Sequence, residues 1–306
     1  MREKLLQELS HYFKQHGFVI STFTEFKSCF DIAAKNSHHF FVIKVLENAD
    51  SLREEQASEL KKVASIFHAN PVLISEKTKA FSLKKGIAYE RYGIPLISVQ
   101  TFEGILQKNP IYSKFFKGRE IVELDSELLK KQRAKKDWSL EELGHKIGAS
   151  AETIYRYEKG EKAEKQKAEK LEQKIGERLI KQINIFNVTG HQPIIFETRF
   201  SESALGKIHD LGLDLALFGH APFKAMGQPT EPLFINLGKE KKEIQRKALV
   251  LEKTKTIFKG HSLVISKEYK LKTIQHTPIF QEEELDSYTK IHQLLEEVKK
   301  REKNKK

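Results

Sequence analysis

The 306-residue sequence has little cysteine and no long apolar run, and these two absences exclude several classes of protein. Its one cysteine, Cys29, excludes a disulfide framework within the chain and a cysteine-rich zinc site. No apolar stretch approaches the length of a membrane span, and the first residues lack the apolar core of a secretory signal. We therefore expect a cytoplasmic protein without a membrane partner.

Motifs that bind nucleotide phosphates are also missing. Neither G-x-G-x-x-G nor G-x-x-x-x-G-K-[ST] occurs, so nucleotide binding has no support from a motif. The histidines show no spacing typical of metal ligands. The sequence therefore predicts no cofactor and no metal.

Positive charge is in excess, with 54 Lys and Arg against 42 Asp and Glu, a net charge of +12. This excess favours an acidic partner, nucleic acid before an anionic membrane surface. It is spread along the chain rather than concentrated in one basic tail. With 39% apolar residues, the chain is long enough for two or three folded domains.

The pattern of elements divides the chain into an α/β segment (1–117), a helical segment (118–184) and a second α/β segment (185–306). In the first segment, amphipathic helices alternate with short apolar strands, and Ser51 is the predicted N-cap of the second helix. The middle segment has no long β-branched run. We predict that it is all helical and ends in a long helix reaching about residue 184.

The third segment repeats the first in its order of elements and in some of its residues. The matched stretches are GFVISTF (17–23) with GLDLALF (212–218), FFVI (40–43) with LFIN (233–236), and IFHANPVLISEKTK (66–79) with IFKGHSLVISKEYK (257–270). On this alignment Asp31 corresponds to Lys224, and Lys44 to Leu237. Two α/β units can share such patterns by chance, but the shared order favours a duplication.

The clearest local signal is SLEELGHKIGASAETIYRYEKG, residues 139–160. Ser139 and Glu142 have the spacing of a capping box, and an apolar stripe at helical spacing follows them. Gly148 stands where a helix end requires a positive φ, and Ser150 can cap the next helix. Two short helices joined by a glycine-containing turn predict a helix-turn-helix.

This pattern resembles the lambda-repressor/Cro-like helix-turn-helix family. The matching residues are Ser139, Glu141, Glu142, Leu143, Gly148, Ser150, Thr153, Ile154, Glu158 and Gly160. Two positions depart from it: Leu140 replaces a frequent glutamine that contacts phosphate, and Gly144 replaces the usual alanine. The resemblance implies that a recognition helix at about 150–159 enters the major groove of DNA.

The second helix presents polar and aromatic residues opposite its apolar stripe. Arg156 can bridge guanine or a phosphate, Glu152 can accept a hydrogen bond from cytosine, and Tyr155 can contact a thymine methyl group or a phosphate. The candidate DNA-binding residues are Ser139, Lys146, Ser150, Ala151, Glu152, Thr153, Tyr155, Arg156 and Lys159.

Two wider resemblances concern the flanking segments. The stretches CFDIAAK, FVIKVLENADSL, YERYGIP and HAPFKA resemble helix-turn-helix transcriptional regulators of archaea, which carry this insert between α/β domains. Asp31 followed by Lys44 on a paired strand resembles the restriction-endonuclease-like fold. In active members of that fold an acidic residue precedes the lysine by two positions, and here that position is Val42. We therefore predict two degenerate nuclease-like α/β domains and no enzyme activity.

The sequence thus predicts a sequence-specific transcriptional regulator that binds double-stranded DNA as a homodimer, with no effector identified. The dimer follows from the single helix-turn-helix, since one recognition helix reads only a few base pairs. We expect the α/β domains to hold the dimer, although their packing could also be satisfied within one chain. A metal-dependent nuclease and a protein-bridging transcription cofactor are the alternatives.

Overall fold

The structure, a computed structural model, describes residues 2–186, 194–228 and 231–303. It divides into two compact units. The first unit contains Met1–Val45, Leu52–Pro71 and Thr189–Lys306, and the second contains Leu46–Ser51 and Val72–Val188. Within the described ranges, no helix combines the length and apolar character needed to cross a membrane.

Helices and strands alternate along most of the chain. The helices are α1 (Arg2–Gln15), α2 (Glu54–Ile66), α3 (Val99–Leu106), α4 (Ser126–Lys135), α5 (Leu140–Ile147), α6 (Ala151–Glu158), α7 (Lys165–Ile175), α8 (Ser203–Asp210), α9 (Lys241–Phe258) and α10 (Ile291–Lys303). The strands are β1 (Val19–Thr22), β2 (Ile32–Lys35), β3 (Phe40–Val45), β4 (Asn70–Ile74), β5 (Ile87–Arg91), β6 (Ile94–Ile97), β7 (Ser113–Phe116), β8 (Arg119–Val122), β9 (Ala163–Glu164), β10 (Leu215–Leu217), β11 (Ala225–Gly227), β12 (Leu233–Leu237), β13 (His261–Ser266), β14 (Thr273–Ile274) and β15 (Thr277–Gln281).

The two α/β segments share one plan. In the first unit β1, β2 and β3 pair antiparallel in that order, and so do β10, β11 and β12. The later strands repeat as well. Strand β4 runs parallel to β6, which pairs antiparallel with β5. In the same way β13 runs parallel to β15, which pairs antiparallel with β14. The predicted fold class, two related α/β domains flanking a helix-turn-helix, is confirmed.

The hydrogen bonds correct the alignment of the two copies by one residue at β3. Ile43 O accepts from Asp31 N at 2.8 Å, and Ile235 O accepts from Lys224 N at 3.0 Å. Asp31 therefore corresponds to Lys224, as predicted. Lys44, the residue after Ile43, corresponds to Asn236 rather than Leu237.

Within the first unit the two copies contact each other reciprocally. Lys62 Nζ of α2 donates to Leu217 O at the end of β10, and Lys253 Nζ of α9 donates to Thr22 O at the end of β1, at 3.1 and 3.2 Å. Each contact is therefore the counterpart of the other, as in a symmetric dimer interface. The packing of copy on copy, which we expected between two chains, is present within one chain.

Phe258, the last residue of α9, lies at the centre of this interface. Its ring centroid lies 4.3 Å from that of Phe67, and the rings of Phe30, Phe40 and Phe234 lie within 6.1 Å. Phe258 is 5% exposed. Because aromatic side chains bury large apolar areas, this cluster holds the two copies together.

The middle of the chain differs from the prediction of an all-helical segment. Strands β8 and β9 lie within it, and α7 ends at Ile175 because Gly176 takes a left-handed φ of 80°. Beyond it, Ile180 and Ile183 form β-bridges with Leu124 and Ile111. The predicted long helix to residue 184 is therefore wrong, since the glycine ends the helix and the following residues pair as extended chain.

The start of α2 also differs from the prediction. Ser51 ends a short 3-10 helix and donates from its hydroxyl to Asn48 O at 2.7 Å, while α2 begins three residues later with Arg53 at the N-cap. Ser51 is therefore not the N-cap. The predicted boundary at residues 117 and 118 falls in the turn between β7 and β8, and the division into three segments remains a proposal.

Candidate nucleic-acid interface

Helices α4 to α7 enclose one apolar core in the second unit. Its members come from every helix of the group and from the strands beside it: Val122, Leu124, Leu129, Leu143, Ile147, Ile154, Tyr157, Ala163, Ala168, Leu171, Ile175 and Leu179. The apolar stripe predicted for α5 and α6 supplies Leu143, Ile147, Ile154 and Tyr157. Burial of these side chains therefore stabilises the two helices and fixes them to each other, because helices this short are marginal on their own.

The turn between α5 and α6 has the capping predicted for it. Ser139 Oγ accepts from Glu142 N at 3.1 Å, and the Glu142 carboxylate accepts from Ser139 N at 2.6 Å. These hydrogen bonds lower the pKa of Glu142. Gly148 has a φ of 72°, and Ser150 Oγ accepts from Thr153 N at 3.2 Å. The capping side chains therefore determine where α5 and α6 begin.

Gly144 departs from the family pattern for a geometric reason. A Cβ atom at this position would lie 2.6 Å from Ala149 O, in the backbone of the turn. This is closer than carbon and oxygen can approach without movement of the turn. Glycine therefore allows α5 to lie directly against the backbone before α6.

An ion pair that the sequence pattern does not indicate joins α4 to α6. Arg133 of α4 donates through Nε and Nη2 to the Glu158 carboxylate at 2.6 and 3.1 Å, and through Nη1 to Trp138 O at 2.8 Å. The Glu158 side chain is 6% exposed. The hydrogen bond to Glu158 raises the pKa of Arg133. The two residues are 25 positions apart, so no local spacing indicates the pair.

The outer face of α6 carries the predicted recognition residues. Glu152, Tyr155 and Arg156 are exposed, Tyr155 to 46%, on the side opposite Ile154 and Tyr157. Burial raises the pKa of the Tyr157 hydroxyl. The structure therefore brings the polar face together as one surface while the apolar face is held in the core.

Other predicted residues surround this surface. Lys159 at the end of α6 is exposed, with Nζ 5.5 Å from the ring centroid of Tyr155. Ala151 and Thr153 are half-buried in the first turn of α6. Lys146 is exposed on α5, and its Nζ lies 4.8 Å from the ring centroid of Trp138.

Arg156 is engaged within the protein. Its Nε donates to Glu161 Oε2 at 2.8 Å, and its Nη2 contacts the same oxygen. This pair raises the pKa of Arg156 and lowers that of Glu161. Both side chains are at least half exposed, so solvent screens the pair and its removal costs little stability. Arg156 can therefore exchange this partner for a base or a phosphate.

Two cations contact Asp31, the acidic residue of the nuclease-like pattern in the first α/β copy. Asp31 is fully buried, and its Oδ1 accepts from Arg2 Nη2 at 2.7 Å and from Lys44 Nζ at 3.1 Å. Its Oδ2 accepts from Val45 N at 2.8 Å. Lys44 Nζ also donates to Ser28 O. Both carboxylate oxygens of Asp31 therefore have partners within the protein.

The corresponding position of the second copy has no acidic group. Lys224 stands where the first copy has Asp31, and its Nζ lies 3.1 Å from Glu202. Asn236 replaces Lys44, accepts from Lys224 N at 2.9 Å and donates to Pro222 O at 3.0 Å. The amide of Asn236 thus holds the preceding loop, as the amine of Lys44 does in the first copy.

Comparison with known families agrees with both parts of this arrangement. A model described as a PD-(D/E)XK superfamily domain matches residues 2–111, and a model described as Helix-turn-helix matches residues 129–188. The fold and the comparison together define a helix-turn-helix protein with a nuclease-like α/β scaffold.

Full-length relatives identify the family. The chain belongs to the archaeal proteins named "Putative HTH-type transcriptional regulatory protein". It is 32% identical to that of Methanococcus maripaludis strain C6, over 100% of this chain and 99% of the relative. It is 28% identical to that of Methanocaldococcus jannaschii (98% and 97% covered) and 29% to that of Archaeoglobus fulgidus (98% and 99%). No solved structure matches the chain.

We predict that Arg133→Gln lowers the free energy of unfolding of the helical segment by about 1–3 kcal/mol, because the buried Glu158 carboxylate loses its charged partner. Urea unfolding followed through Trp138, the one tryptophan of the sequence, measures this change. Arg156→Gln is the matched control, since it breaks an exposed Arg–Glu pair on α6 and should leave the midpoint nearly unchanged. Equal decreases in the two variants would contradict the prediction.

Proposed function

We propose that this protein is a sequence-specific transcriptional regulator that binds double-stranded DNA by inserting α6 into the major groove. The observation that carries the proposal is the exposed face of Glu152, Tyr155 and Arg156, held opposite the buried Ile154 and Tyr157. A rigid helix with such a face matches the way helix-turn-helix proteins read base edges.

The residues of this surface form two groups, one suited to contact base edges and one suited to contact the phosphate backbone. Arg156 can donate to the two acceptors of guanine, Glu152 can accept from cytosine N4, and Tyr155 can pack on a thymine methyl group. The remaining candidates suit the phosphate backbone and the placement of the helix ends: Ser139, Lys146, Ser150, Ala151, Thr153 and Lys159.

We predict that Tyr155→Ala combined with Arg156→Ala weakens specific binding by about ten- to a hundredfold for each base that the side chains no longer reach. A sequence selected from a random duplex pool, titrated at fixed salt, provides the measurement. Lys170→Ala is the control, because it removes an exposed cation from α7 outside the proposed surface. Unchanged affinity in a folded double variant would refute the placement of the interface, and a folded wild type that binds no duplex would favour the protein-bridging cofactor.

We further propose that neither α/β copy cleaves DNA. A magnesium site needs free carboxylate oxygens, and both oxygens of Asp31 already accept hydrogen bonds, Oδ1 from the cations Arg2 and Lys44. Val42 is fully buried where the nuclease-like pattern has a second acidic residue. In the second copy Lys224 and Asn236 occupy the two key positions.

Supercoiled plasmid incubated with the protein and Mg²⁺ or Mn²⁺ should therefore remain supercoiled. Nicking that requires the metal and disappears in both Asp31→Ala and Lys44→Ala would establish the nuclease alternative instead. Nicking that survives both substitutions would come from a contaminant, so the pair of variants serves as the control.

The homodimer is also a proposal, and we place its formation on DNA. The α/β copies already satisfy each other within one chain, while each chain supplies one helix-turn-helix. Two chains on half-sites about 34–36 Å apart would provide the second recognition helix.

We predict a monomer in solution at micromolar concentration and two chains per selected duplex. Light scattering across a concentration series, with and without duplex, measures both states. One chain per saturated duplex would refute the dimer. A stable dimer without DNA would instead show that another surface of the protein forms it.

A further inference from the structure

The hairpin of β7 and β8 belongs to neither matched family region, since it lies between residue 111 and residue 129. Phe116 pairs with Arg119 at its tip, and Lys114 pairs with Ile121. The turn residues Lys117 and Gly118 have φ values of 47° and 82°, as the commonest two-residue hairpin turn requires. The tip is thus a defined structure.

The hairpin is joined to the helix-turn-helix by main-chain hydrogen bonds. Strand β8 pairs antiparallel with β9, which lies between α6 and α7, through Ile121 with Glu164 and Val122 with Ala163. Val122 and Ala163 are buried in the core of α4 to α7. The hairpin is therefore held in a fixed position relative to α6.

The two faces of the hairpin have different surroundings. Phe115 points to one face, where its ring lies 5.2 and 5.3 Å from the rings of Phe81 and Tyr89. Phe116 and Arg119 are on the opposite face, because side chains alternate along a strand. That face and the recognition helix border one cleft of about 460 Å³, with Phe116, Lys117 and Arg119 on one side and Thr153 and Arg156 on the other.

The cleft is positively charged. Five Lys or Arg side chains line it against two Glu side chains. Both carboxylates have partners: Glu161 pairs with Arg156, and Glu164 with Arg119 at 2.5 Å. The Phe116 ring is 55% exposed at the tip, and Lys117 Nζ lies 5.3 Å from its centroid. An exposed aromatic ring in a cleft with an excess of cations suits a partner with phosphates and with flat or apolar sugar and base surfaces.

We propose that this hairpin is a wing that extends the DNA interface of α6 onto the neighbouring backbone and minor groove. Lys117 and Arg119 contact phosphates, and Phe116 packs against the sugar and base edges of the minor groove. Arg156 lies on both the recognition face and the cleft, so DNA bound to α6 continues along the hairpin. The inference rests on the proposed function, since it assumes that duplex DNA lies on α6.

The test compares the salt dependence of binding to a labelled random-sequence duplex pool. Each phosphate contact contributes about 0.9 to the slope of log K against log salt concentration, so Lys117→Gln with Arg119→Gln should lower the slope by about 1.8. The control, Lys170→Gln with Lys174→Gln, removes the same charge from the exposed side of α7 and should change the slope by less than one phosphate contact does.

Phe116→Ala tests the aromatic contact separately, because it should weaken binding severalfold while leaving the slope unchanged. Trp138 fluorescence and circular dichroism confirm that each variant is folded. Equal slopes for the wing variant and the control, together with wild-type affinity for Phe116→Ala, would overturn the wing. If the Tyr155/Arg156 variant still binds more weakly in that case, the proposed function stands. If the wild type binds no duplex, both proposals fail.

Discussion

The contact between the two α/β copies within one chain is the constraint on which the rest of the first unit depends. Phe258 at the end of α9 packs on Phe67 at the end of α2, and the lysines of both helices reach across to equivalent backbone carbonyls. A symmetric dimer of separate chains would use the same reciprocal geometry. Within one chain this interface is permanent, because the second α/β domain is covalently present and its binding does not depend on concentration.

This contact also accounts for the state of the nuclease-like position. The loop before Asp31 is bonded to the second copy, since Cys29 N donates to His220 O at 2.5 Å and Glu59 accepts from His220 N at 2.6 Å. Cys29 is fully buried as a result, and burial raises the pKa of its thiol. Asp31 directly follows this loop, and its carboxylate accepts hydrogen bonds from Arg2 and Lys44.

The features that the sequence predicts correctly are those with local causes. The capping box of Ser139, the left-handed Gly148 and the Ser150 cap depend on residues at most three positions apart. The Arg133–Glu158 pair, the pairing of β8 with β9 and the offset at β3 depend on residues distant in sequence. The hairpin has one local signal, Lys117-Gly118 between two apolar runs, which the charged residues around it obscure. The recognition residues are predicted from helical periodicity together with the resemblance to the Cro-like family, and their contacts with DNA belong to the proposal.

The contact between the α/β copies also limits how the proposed DNA interface can be built. Because the α/β copies pair within one chain, the surface between them is not free to bind a second chain. One recognition helix reads too few base pairs to choose a site among the many in a genome. A protein with one recognition helix per chain can gain specificity if two chains pair on the DNA, or if each chain contacts a longer stretch of DNA. In the proposed wing, the hairpin beside α6 would enlarge the footprint without adding a domain, because the β8–β9 pairing fixes its cations and Phe116 relative to α6. The two proposals together therefore imply two chains that pair only on DNA, each holding it through α6 and the hairpin.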